Sequence, residues 1–100
     1  MNTVIFSDYD SCYSSALLLS DGVEWGLIDR DMYKERIPAY ASDIADYDDE
    51  KLFAFFKQIF NAEIKRIIII IDGEVIKVRC NCPRGFFGYE VVNGKVQETN

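Results

Sequence analysis

Two aspartates one residue apart, Asp8 and Asp10, follow the first apolar run of the chain, Val4-Ile5-Phe6. Paired carboxylates at a strand end can share a divalent cation through their oxygens, and one of them can act as a nucleophile. The chain has no histidine. That removes every Ser/His or Cys/His pair and every His-based metal set, so Ser7, Ser11, Ser14 and Ser15 have no imidazole base. The three cysteines are Cys12, Cys80 and Cys82. An odd count does not outline a disulfide framework, and a reducing cytoplasm is the expected setting. Cys80-Asn81-Cys82 is tighter than the usual zinc spacing. The strand pleat is expected to separate these two thiols, one buried and one at the surface, with no metal or cofactor bound.

A second group of residues has binding chemistry. Residues 1–50 hold 12 acids and 3 bases, whereas residues 51–100 hold 5 acids and 8 bases. The net charge of −6 is therefore −9 in the first half and +3 in the second. Asp43, Asp46, Asp48, Asp49 and Glu50 place five acids in eight residues around Tyr47. Concentrated like charge destabilises a small domain by self-repulsion, which points to a purpose. Electrostatic complementarity speeds encounter and selects partners, while aromatic side chains supply anchors. The expected surface comprises Asp43, Asp46, Asp48, Asp49 and Glu50, with Tyr40 and Tyr47 as anchors and Asp29 and Asp31 in support. Its partner is expected to be a basic protein, such as a nuclease toxin or another nucleic-acid-binding enzyme. Direct binding to nucleic acid or to an anionic membrane needs a basic footprint, which the acid excess argues against.

Val4-Ile5-Phe6-Ser7-Asp8-Tyr9-Asp10-Ser11-Cys12 resembles the first motif of haloacid-dehalogenase-type phosphatases, an apolar strand followed by Asp-x-Asp. The resemblance implies Asp8 as nucleophile and Asp10 as general acid/base beside a magnesium ion, on a parallel sheet with crossover helices. In size, charge and lack of a catalytic set, the chain is similar in style to bacterial immunity proteins and phage-encoded inhibitors. The leading expectation is that second kind, a non-enzymatic protein that occludes a basic surface. A phosphatase using Asp8 and Asp10 and a structural subunit of a larger assembly are the alternatives.

The elements that must position these residues are legible in the turns. Asp21-Gly22, Asp72-Gly73 and Asn93-Gly94 each sit between apolar runs. Asp, Asn and Gly accept the positive φ of two-residue hairpin turns. Pro83-Arg84-Gly85 is a further turn signal. The run Ile67–Ile71 is apolar on both faces and predicts a central strand covered on both sides. In Glu74–Arg79, Val75, Lys77 and Arg79 are expected on a partly wet face. Gly26 marks a bulge or close contact within the strand at 23–28. Leu52, Phe53, Phe56, Ile59 and Phe60 recur at helical spacing and predict one main helix over about 49–63, N-capped by Asp48. Asp49 and Glu50 in its first turn favour the positive end of the helix dipole. The segment 29–47 is open between short helix and loop.

With 100 residues, 49% hydrophobic and 14% aromatic, the chain is expected to be a single domain over 1–100 with its own core. That composition excludes disordered, collagen-like and coiled-coil classes. The longest aliphatic run has five residues, against roughly 20 for a spanning helix. The expected fold is α+β. A mostly antiparallel sheet of five to seven strands is built from hairpins, and the helix packs on one face.

Overall fold

The computed structural model describes residues 2–9, 13–20, 23–29, 44 and 46–99. Along the chain come β1 (Asn2–Tyr9), β2 (Tyr13–Ser20), β3 (Val23–Asp29), α1 (Asp49–Phe60), β4 (Arg66–Ile71), β5 (Glu74–Cys82), β6 (Gly85–Val92) and β7 (Lys95–Thr99). The strands form one sheet in the order β3-β2-β1-β4-β5-β6-β7. The fold is α+β and the sheet mostly antiparallel, as expected, but it is mixed. β1 and β4 run parallel, with Thr3 beside Arg66 and Asp8 beside Ile71. The reason is the connection. Two antiparallel meanders, β1–β3 and β4–β7, meet side by side, and a long crossover carrying α1 joins them. Only such a crossover can bring two strands together in the same direction.

Turn chemistry sets the local connections. Asp72 (φ 50°) and Gly73 (φ 83°) connect β4 to β5, and Asn93 (φ 53°) and Gly94 (φ 76°) connect β6 to β7. Positive φ at both central residues matches the right-handed strand twist, so each pair forms a tight hairpin. β5 returns into β6 through Pro83-Arg84, with Cys82 opposite Gly85. β2 and β3 close with Ser20 opposite Val23. Asp21-Gly22 itself lies outside the described residues. The β2–β3 register shifts where Leu18 faces Gly26 and Leu19 faces Glu24, the bulge that Gly26 signalled.

Helix α1 starts at its predicted cap. The Asp48 carboxylate accepts from the Lys51 backbone N–H at 2.8 Å. It ends earlier than the expected 63. Asn61 turns left-handed (φ 53°, ψ 45°), and Ala62 N–H reaches back to the Lys57 carbonyl at 3.3 Å. That long return bond closes the helix in the manner of a Schellman cap. From there the chain is stitched to the first strand. The Asn2 side-chain amide donates to the Glu63 carbonyl, and Lys65 N–H donates to the Asn2 carbonyl.

The core lies between α1 and one face of the sheet. Val4 and Phe6 of β1, Leu18 of β2 and Ile67 and Ile69 of β4 are buried with Leu52, Phe53 and Phe56 of α1. Phe6 and Phe56 meet at 5.8 Å between ring centroids, and Phe53 stacks on Phe86 at 5.3 Å. Fully burying one such side chain stabilises by about 1.5–3 kcal/mol. β4 is central as predicted, and among the described elements a helix covers one of its faces. Ile67 and Ile69 are buried, whereas Ile68 and Ile70 on the opposite face are only half-buried. Among the described residues no element lies across that opposite face. Phe87 stays 47% exposed there and Val96, opposite Val91, 67%.

Candidate functional site

The acidic segment leads into and begins α1. Tyr47 N–H donates to the carbonyl of Ile44, whose side chain is buried, so the entry to the helix is anchored in the core. The Tyr47 ring meets Phe55 edge-on at 6.0 Å, and Lys51 Nζ lies 4.1 Å above its centroid. Cation–π attraction and edge packing fix the ring while leaving it half-exposed. Around it, Asp46, Asp48 and Glu50 are exposed. Asp48 combines two roles, since one carboxylate oxygen caps the helix while the residue faces solvent.

Asp49 is placed differently from its neighbours. Its Oδ1 accepts from Arg79 Nε at 2.8 Å and its Oδ2 from Arg79 Nη2 at 2.6 Å, a two-pronged pairing. Arg79 is only 2% exposed and Asp49 23%. The planar guanidinium matches a carboxylate in this fork geometry, and such charge-assisted bonds are the strong ones. Arg79 was expected on a partly wet face with Lys77. Instead that face turns toward α1, because Arg79 lies opposite Ile67, whose side chain is buried in the core. On its other side Arg79 faces Gly88 of β6. The sequence contained the signal: an interior arginine on a strand next to a helix whose first turn holds a spare aspartate.

Asp29 ends β3, its backbone opposite Ser15. Asp31, Tyr40 and Asp43 lie outside the described residues, as does Asp10. Asp8 sits within β1, its backbone between Ser14 of β2 and Ile71 of β4. The strand that carries it is followed by antiparallel β2. The phosphatase resemblance implies instead a crossover to a parallel neighbour at this point, so the sheet departs from that family's arrangement. At the other end of α1, Lys57 Nζ pairs with Glu63 at 2.7 Å. The hydrogen bond and charge of Lys57 hold the Glu63 carboxyl below its ordinary range.

The two thiols of β5 are not divided between core and surface. Cys80 and Cys82 are both half-buried and line the same hollow. The pleat alternates at each residue, so positions two apart return to one side. No protein family, curated protein or solved structure matches the chain. No described helix is long and apolar enough to cross a membrane.

Proposed function

We propose that this chain is a small acidic binding protein without catalytic function, of the immunity or inhibitor type, which occludes a basic surface of a partner such as a nuclease. The observation that supports this reading is the exposed set Asp46, Asp48 and Glu50 around the pinned, half-exposed ring of Tyr47. Three carboxylates on one helix entrance offer a complementary field to a cationic cleft, and a fixed aromatic loses little freedom on docking. Asp49 serves the surface indirectly, by tying the helix start to β5. Asp29, Asp31, Tyr40 and Asp43 complete the proposed surface.

The test removes charge without removing the cap. Asparagine caps a helix as well as aspartate. The combined variant Asp46→Asn, Asp48→Asn, Glu50→Gln should therefore fold normally and bind the cognate basic partner at least tenfold more weakly, mostly through a slower on-rate. Added salt should weaken the native complex more than the variant one. Equal affinity for both proteins at low and high salt would refute the proposal.

A second reading is favoured by β7, an outer strand on which Val96 is 67% exposed, and by a sheet face that no other described element crosses. A sheet edge of this kind can accept a strand from a neighbouring subunit. Light scattering that finds only a monomer at high protein concentration, with and without the cognate partner, would dismiss that subunit role.

A further inference from the structure

Cys80 and Cys82 lie on the sheet face opposite α1, and both line one half-open hollow of ≈ 730 Å³. Val78 and Phe87 form apolar parts of its lining, and Lys65 and Arg66 bring two cations to it. Both thiols are free. Two steps along a strand separate Cα atoms by about 6.7 Å. That is the far limit for a disulfide, and β5 is held on both sides by β4 and β6. A direct sulfur–sulfur bond would therefore bend a pinned strand, whereas one soft ion placed between the sulfurs suits the longer gap.

The described surroundings point to a coordination number of two. Among the described residues no three His, Cys, Asp or Glu side chains are placed to share an ion. A structural zinc site needs four ligands. Cu(I) is soft and is selected by thiolates. A Cu(I) ion with two thiolates carries one net negative charge, and Lys65 and Arg66 in the same lining carry the opposite sign. The apolar wall of Val78 and Phe87 limits water and strengthens that attraction.

We infer that Cys80 and Cys82 form a two-coordinate thiolate site for Cu(I). Binding forms two copper–sulfur bonds and releases two thiol protons to solvent, with no change of oxidation state. The Cys82 thiol, which donates to the Gly85 carbonyl at 3.3 Å, gives up that contact when its proton leaves.

The test is an anaerobic titration of the full, reduced chain with Cu(I) in competition with the chromogenic chelator bicinchoninate. The native chain should withhold one equivalent. Cys12→Ser should leave the affinity unchanged, while Cys80→Ser and Cys82→Ser should each lower it at least tenfold, and Lys65→Glu severalfold. X-ray absorption of the native copper form gives a readout independent of variant folding, and two sulfur neighbours per copper are expected. The inference fails if the chelator strips all copper from the native chain, or if the Cys80→Ser, Cys82→Ser double variant holds copper as tightly. It also fails if copper shows three or more ligands.

Discussion

Arg79 and Asp49 show how residues of one type diverge once their neighbours are fixed. Four of the acids around Tyr47 have described surroundings, and only Asp49 meets a buried cation. Removing Asp49 takes from the buried Arg79 the carboxylate that its fork grips. Asp49→Ala should cost about 3 kcal/mol, near the low end for buried pairs because Asp49 itself is partly exposed. Replacing both, as Asp49→Leu with Arg79→Met, should restore most of that loss, because well-packed apolar side chains often substitute for a buried pair without penalty. Urea denaturation of the two singles and the double decides this. A double as unstable as Asp49→Ala would refute the account. Asp48→Ala, by contrast, should cost only about 1 kcal/mol, the usual worth of an N-cap. The sequence showed Asp49 and Arg79 but not their union. They stand 30 residues apart, and only the packing of α1 over β5 brings them together.

Elements were legible where local chemistry governs them and obscure where packing does. The Asp72-Gly73 and Asn93-Gly94 turns and the Asp48 cap depend on residues within four positions of one another, and all were readable. The end of α1 was not, because the apolar spacing carries past Phe60 while the left-handed turn at Asn61 stops the helix. The faces of β5 are obscured in the sequence because the β4–β5 register shifts between Ile69 and Ile70, so simple alternation from Val75 fails. Gly88 shows the same dependence on packing. A Cβ there would lie 2.0 Å from the Val78 carbonyl oxygen. Gly88→Ala should cost about 3 kcal/mol through overpacking and backbone strain. Gly94→Ala, with open space around it, should cost only about 1 kcal/mol for its positive φ. Comparable losses in thermal denaturation would contradict the crowding argument. At the helix end, Lys57 depresses the Glu63 pKa. A depressed carboxyl contributes stability above its unfolded-chain pKa and loses it as pH falls through the lower folded value. Lys57→Ala should move the Glu63 titration midpoint upward, as followed by carboxyl NMR.

For the whole molecule, the uneven charge was plain in composition, and its consequence is physical before it is functional. Twelve acids against three bases in the first half repel one another across distances that about 0.1 M salt screens. The thermal midpoint should therefore rise between about 0.01 M and 0.2 M sodium chloride. A falling midpoint would mean that attractive pairs outweigh the repulsion. Which face of the sheet α1 covers was not legible. A run of five isoleucines reads as covered on both sides, and nothing local reveals that the helix lies on only one of them.

The single parallel joint between β1 and β4 also sets a schedule. Meander β1–β3 is complete once residue 29 has been made, but the neighbour of β1 begins only at Arg66. At about 5–20 residues per second, the ribosome takes roughly 2–7 s to cover that interval. Throughout it, the inner edge of β1 has no native partner. Closing the 36 residues between β3 and β4 then costs about 3.2 kcal/mol in chain entropy, before the fixed term. The nascent chain is therefore most open to mispairing with another copy in those seconds, at the strand that later becomes part of the sheet's interior.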